Sequence, residues 1–344
     1  MRSLLIYMAL TVSLLIAVLL DISMGAYPVG LRDLLGYIGG SLDDRIALVV
    51  IDARVRRILT AILAGSVLSL STLVLQSVFR NPLASPFTLG LQHAASLGAG
   101  VAIMLLQAGS ILKSSTPGVY IGNPFTVSAA AFLATFGHGV LVITLSSIAG
   151  LTVYSLILAS IILSFLTQSI LYLMQYLFFN EISVSTLLFW SVGDLSRTTW
   201  CEIALIASSL LLLLVYAWWE SMSLDLLGFS DELASSSGVN PALTRLLSIL
   251  LVSLAVGVTV SFTGIIGFAG LIALYASRIL VGWSTRRCIP AVLLMGSIIM
   301  VSADIIGRSI LKPVVIPVGV VTSLIGSPLL LLLMLGGRGG LPKS

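Results

Sequence analysis

Charge is scarce in this chain: Asp, Glu, Lys and Arg make up 9% of its 344 residues, while 58% are hydrophobic. A soluble domain carries roughly a quarter charged residues, and the deficit here runs through the whole sequence. With a mean hydropathy of +1.16, the chain is too apolar to be coated by water, and a single integral membrane domain over residues 1–344 is expected.

Other absences narrow the function. The two cysteines, Cys201 and Cys288, fall near opposite membrane faces in the expected topology, which argues against a disulfide and leaves no cysteine-based metal site. No G-x-x-x-x-G-K-[ST] segment occurs, so the chain does not itself cradle ATP phosphates. G-x-S-x-G and H-E-x-x-H are missing too, which removes the commonest hydrolase and zinc-protease signatures. The two histidines, His93 and His138, lie on different expected spans with no ligand-spaced partner, and read as helix-packing residues. The 17 basic residues against 13 acidic ones form no stripe beside stacking aromatics. Anionic lipid headgroups explain that excess more simply than nucleic acid.

What the sequence does have is long apolar runs. A spanning helix needs about 20 mainly apolar residues, because no unpaired backbone polar group survives in hydrocarbon. Runs near 3–24, 55–79, 88–107, 127–147, 153–179, 200–219, 243–263, 266–282, 287–310 and 316–336 predict an all-α polytopic bundle of about ten transmembrane helices. The first run lacks an A-x-A-type cleavage site and reads as a retained helix. Gly90, Ala94 and Gly98, one turn apart, suit close helix packing.

Two connections are polar. Residues 25–54 carry Arg32, Asp33, Asp43, Asp44, Arg45, Asp52 and Arg54, too dense in charge for the bilayer. Residues 220–242 read as short surface helices broken at a glycine. Ser230 is placed to cap one, with Asp231 and Glu232 in its first turn and Gly238 at its end, and Asn240 followed by Pro241 opens the next. So rigid a connection is a candidate docking surface.

Ionisable groups at membrane depth are few. Asp304 and Arg308, four apart, can pair on one helix face, either as a self-neutralising pair near the interface or as a functional one. Arg278 is expected to snorkel to the headgroups. An ion-coupled secondary transporter or channel, the alternative reading, normally shows more acidic or histidine residues at depth. An intramembrane enzyme needs a nucleophile or metal constellation that is not found. Lys and Arg divide almost evenly between the two sides, so charge sets no orientation.

The stretch Arg54–Gly90, RVRRILTAILAGSVLSLSTLVLQSVFRNPLASPFTLG, resembles the FecCD family of permeases from type II ABC importers. Members of that family handle iron–siderophores, haem and cobalamin. The likeness rests on the paired arginines, the LAG segment, Gln76, Arg80, Asn81, Pro82, Pro86 and Gly90. SSSGVNPALTRLL, GVTVSFTGIIGFAGL, RILVGWSTRRCIPA, ADIIGRSIL and IPVGVVTSLIGSPLLLLLML extend it over nearly the whole chain. Leu274 and Tyr275 depart from it, since the family commonly carries Pro and His there.

The resemblance implies the non-catalytic, multi-pass permease subunit of an ATP-driven importer in the plasma or inner membrane, with both termini cytoplasmic. It implies a homodimer with a translocation path along its axis, a substrate-binding protein outside, and two ATPase subunits inside. Those subunits use ATP and Mg²⁺, and this chain binds no cofactor. The family's coupling helices correspond to 228–242, which makes Ser230, Asp231, Glu232, Ala234, Ser237, Gly238 and Asn240 the expected ATPase contact. Arg54, Arg56, Arg57 and Arg308 match positions that meet carboxylates of the binding protein, so reversing Arg57 to Glu is expected to weaken that association without unfolding. Gly264, Gly267 and Gly270 are candidates for a gate or hinge, since glycine permits conformations closed to other residues.

Overall fold

A chain in lipid must satisfy its backbone polar groups internally, and a helix does so within one segment. The computed structural model is almost wholly helical over the residues it describes, which are 2–24, 36, 39, 45–106, 109–111, 119–121, 124–311 and 314–336. In chain order the helices are α1 (Arg2–Ser23), α2 (Arg45–Phe79), α3 (Leu91–Leu106), α4 (Pro124–Ile148), α5 (Val153–Phe178), α6 (Glu181–Ser191) and α7 (Trp200–Trp219). They continue as α8 (Ser221–Phe229), α9 (Asp231–Ser236), α10 (Pro241–Thr263), α11 (Ala269–Val281), α12 (Thr285–Ser309) and α13 (Val318–Gly336). A small antiparallel ribbon pairs β1 (Gly109–Ile111) with β2 (Val119–Ile121).

Among the described residues seven helices (α1, α2, α4, α5, α7, α10 and α12) are long and apolar enough to cross a membrane. The shorter apolar helices α3 and α11, together with α13, fill the places of the remaining expected spans. The brevity of α3 and α11 has a cause. Before α3 the chain turns back on itself, with Gln76 Nε2 donating to the Pro82 carbonyl and Gly90 at φ +84°. Before α11, residues 264–268 run without regular structure. The two irregular stretches meet inside the protein, where Gln92 Nε2 donates to the Ile266 carbonyl at 3.0 Å and the Phe87 and Phe268 rings lie 6.2 Å apart. Non-helical backbone at membrane depth is tolerated only when protein covers it in this way.

Helix α2 is the axis of the molecule: its most apolar window is 83% buried, against 6% for α1 at the edge. It packs against α7, α10 and α11, and most extensively against α12. There Gly65 and Gly296 let the backbones touch, since a Cβ on Gly65 would stand 2.2 Å from the Gly296 carbonyl oxygen. The same physics draws α3 to α4, where a Cβ on Gly98 would meet the Ala130 carbonyl at 2.3 Å.

Several expectations are corrected. Helix α2 begins at Arg45, ten residues before the expected start at 55, because Ile51 finds a fully buried place and Asp52 pairs with Arg56 one turn on. The rest of the polar connection, apart from residues 36 and 39, lies outside the described residues. Helix α6 was not anticipated: at 11 residues it is too short for a span, and its signal was only Asn180, whose side chain caps it through Ser183 N. The break expected at Gly238 is found, but the helix that follows it is the span α10, and the second short helix is α8, which comes before Ser230 and was not anticipated. Arg278 does not snorkel outward. It turns in to donate to Gln76 Oε1 and stacks 4.5 Å over Trp283. With no proline at Leu274, α11 runs unbroken, and Leu274 is fully buried.

Candidate functional site

Functional side chains gather at the two ends of α2. The helical rise of ~1.5 Å per residue sets Arg57 and Arg80 about 35 Å apart, slightly more than the ~30 Å hydrocarbon core of a bilayer. The two groups therefore sit at opposite membrane faces.

At the Arg57 end, the four expected arginines are brought together and each is engaged within the protein. Arg57 Nε lies 2.8 and 2.9 Å from the two oxygens of Asp304, whose side chain is 1% exposed. Arg308 Nε reaches the same carboxylate at 3.0 Å, the pairing expected four residues apart on one helix face. Arg308 also binds Asp21 and donates to the Met24 carbonyl, which ties the end of α1 to α12. Arg54 donates to the Ile22 carbonyl at 2.7 Å. Arg56 reaches Asp52 and the Thr198 carbonyl, and Asp52 also accepts from Trp200 Nε1. So a row of guanidinium groups is fixed in register on one face by buried carboxylates and helix-end carbonyls.

At the Arg80 end lies the connection between α7 and α10. Ser230 caps α9 through Leu233 N at 3.0 Å, and Asn240 caps α10 through Leu243 N with Pro241 at its first position. Gly238, at φ +83°, closes α9 in a conformation that costs other residues free energy. Asp231 lies between two arginines. Arg245 binds it in a bidentate fork at 2.7 and 2.9 Å, and Arg80 binds it from the end of α2. Burial pushes the Asp231 carboxyl up, but the hydrogen bonds and charge of Arg245 and Arg80 outweigh it, and the net direction is downward. The exposed Glu232 carboxyl is also drawn down, by its own backbone N–H and the Ser230 hydroxyl.

Further bonds spread from this point. Arg80 Nε donates to the Leu227 carbonyl, Arg245 Nη1 to the Leu151 carbonyl, and the Thr285 backbone N–H to Asp225. Helices α8 and α9 are thus joined to α2, α10, α12 and the turn before α5. Ala234 is fully buried beneath them, whereas Ser237 and Gly238 stay exposed. Asp21, Asp225 and Arg245 were not singled out from the sequence. The signal for Arg245 was present, because an arginine one turn into an apolar span needs a partner.

The glycine segment connects α10 to α11. Gly264 ends α10 at φ +76°, where a Cβ would meet the Trp190 carbonyl at 2.5 Å. Gly270 presses on α2, with Leu68 O 2.5 Å from where its Cβ would be, while Gly267 has only Ser323 Oγ nearby, at 3.1 Å. Phe268, between them, holds a left-handed conformation at φ +62°. The histidines pack helices: His93 Nδ1 lies 2.9 Å from Gln168 Oε1, and His138 Nε2 donates to the Leu89 carbonyl. Among the described residues no group of three His, Cys, Asp or Glu could hold a metal ion.

Comparison with known proteins decides the family. The model of the FecCD transport family matches residues 13–336. The chain belongs to the FecCD transport family. Among relatives of this FecCD chain, an ABC transporter permease protein of Methanocaldococcus jannaschii is 36% identical over 95% of this chain and 93% of its own. The hemin transport system permease protein of Yersinia pestis is 31% identical over 96% and 95%. A solved structure described as a metal-chelate type ABC transporter in an inward-facing conformation superposes with a TM-score of 0.81, at 28% identity, over 97% of this chain and 99% of that one.

Proposed function

We propose that this FecCD chain is the membrane-spanning permease subunit of an ATP-driven importer for a metal chelate. The observation that carries the reading is the two-ended construction on α2: a row of fixed arginines at one face, and short helices bolted into several spans at the other. Positive groups held in register suit a carboxylate-bearing binding protein, since charge complementarity steers encounter and fixes orientation. A stiff element tied to α2, α10 and α12 suits a pair of ATPase subunits, whose closure must be conveyed to spans as rigid-body motion. On this reading Ser230, Asp231, Glu232, Ala234, Ser237, Gly238 and Asn240 form the ATPase contact, with Asp231 holding it in place. Arg54, Arg56 and Arg57 face the binding protein, and Arg308 secures α1 beside them.

Helix α1 ends at Arg308, and α13 begins beside Gly193, with the Gly319 N–H pointing at the Gly193 carbonyl. On this reading the start of α1 and the end of α13 share the face of α8 and α9, which supports cytoplasmic termini. The apolar outer face of α5, with Phe165 72% and Tyr176 88% exposed, is available to lipid and to a second copy of the chain. ATP and Mg²⁺ belong to the ATPase partners, and this subunit is non-catalytic with no cofactor of its own.

The test is uptake by proteoliposomes holding the permease with its ATPase, supplied with binding protein and, in turn, ferric citrate, a ferric siderophore, haemin and cobalamin. Accumulation of one of these only with ATP and Mg²⁺ is the expected result. Accumulation driven by an ion gradient without the ATPase would refute the reading.

A further inference from the structure

Helices α2 and α12 are joined at both membrane faces and between them. At one face Arg57 of α2 grips the buried Asp304 of α12. Within the membrane the two backbones touch: a Cβ on Gly65 would stand 2.2 Å from the Gly296 carbonyl oxygen, and one on Gly296 2.4 Å from that of Gly65. Beside this crossing Ser66 Oγ and Ser297 Oγ lie 3.1 Å apart, and Ser297 Oγ is also 3.2 Å from the Ile62 carbonyl. At the other face α8 bridges the pair, its Leu227 carbonyl accepting from Arg80 at the end of α2 and its Asp225 accepting from Thr285 at the start of α12.

Each junction opposes sliding for its own reason. Displacing α12 along α2 would part the buried Asp304 from Arg57 and leave it only Arg308 of its own helix, in a setting with little water to replace the lost partner. It would also drive side chains into the gap that only Gly65 and Gly296 fit, because packed interiors do not deform continuously. And it would leave helix-end groups at Thr285 without their acceptor.

We infer that α2 and α12 form one rigid transmembrane strut, which carries displacement between the arginine face and α8 without relative movement of the two helices. This rests on the importer reading above and specifies where in the subunit motion does not occur. The freedom needed for transport then belongs to the seams around the strut. Among these is the irregular segment 264–268, which a single parallel bridge between Ile265 and Val192 connects to the end of α6.

The test locks the strut and asks whether transport continues. Ser66→Cys and Ser297→Cys are introduced together in a chain carrying Cys201→Ser and Cys288→Ser, assembled with its ATPase and binding protein in proteoliposomes. Uptake is measured for whichever of ferric citrate, ferric siderophore, haemin or cobalamin the chain without introduced cysteines accumulates. The expected result is ready cross-linking, with uptake in the cross-linked form within about twofold of the reduced form, since a rigid body loses nothing when it is stapled. A loss of about tenfold or more that is restored by reductant would overturn the strut, because it would show shear between the helices. Failure of the two cysteines to cross-link would overturn it as well. Absence of ATP-dependent uptake before any cysteine is introduced would defeat the importer reading itself, so the two failures are distinguishable.

Discussion

Arg245, whose side chain is only 2% exposed, is neutralised by a bidentate bond to Asp231, which belongs to a surface helix and is 36% exposed. A charge inside the bundle thus depends on a carboxylate outside it. This dependence holds α9 onto the spans more firmly than its six residues could by packing.

Replacing Asp231 by Asn should therefore loosen the whole connection. Removing one partner of a buried pair costs ~3–5 kcal/mol, and the exposure of Asp231 lowers the expected loss to about 1–3 kcal/mol. Thermal unfolding of the purified permease measures it. In the assembled complex, ATP hydrolysis should continue while ATP-driven uptake falls.

The same bond makes a pH prediction. The Asp231 carboxyl lies below its ordinary range when folded, so its contribution is complete above the unfolded value of ~3.9 and is lost as pH falls through the folded value. The stability difference between the native chain and Asp231→Asn should stay level from neutral pH down to about 4 and shrink below it. A difference that shrank on going from pH 5 to 7 would contradict the assignment.

At the opposite face, Arg57→Glu should do more than weaken docking. The expectation drawn from sequence was an intact fold, but the structure puts Arg57 against Asp304, 1% exposed. A second carboxylate there leaves two buried like charges, and a loss of about 3–5 kcal/mol follows. Exchanging the pair, Arg57→Asp with Asp304→Arg, should recover part of it. Arg56→Glu is the cleaner probe of docking, since Arg56 and its partner Asp52 are both more than a quarter exposed.

The three glycines of the 264–270 segment should respond differently to alanine. Gly264→Ala and Gly270→Ala each bring a Cβ to 2.5 Å from a backbone oxygen, and about 1–3 kcal/mol of destabilisation is expected from such overpacking. Gly267→Ala meets only a movable serine hydroxyl and should fold normally. Equal effects at all three positions in a thermal-shift series would show that the close contacts do not govern the segment.

Caps were legible because they are local. Ser230, Asn240 and Pro241 sit where residue type alone placed them, since each acts on a backbone N–H within three residues. The Asp304–Arg308 pair was legible for the same reason, being one turn apart. Arg278 was misread because its partner, Gln76, is 202 residues away. Helix α6 escaped because a span-length window does not register an 11-residue helix.

By itself the sequence determined that this chain lives in a bilayer, roughly where it crosses, and which turns are capped, because apolar run length and neighbouring side chains are properties of the chain read in order. Tertiary structure decided which charge meets which. It set Asp304 between Arg57 and Arg308 and Asp231 between Arg80 and Arg245, and it matched Gly65 to Gly296. The physical reason is that a buried charge or a bare backbone contact is stable only beside its complement, and only the packing of distant helices determines which residues become neighbours.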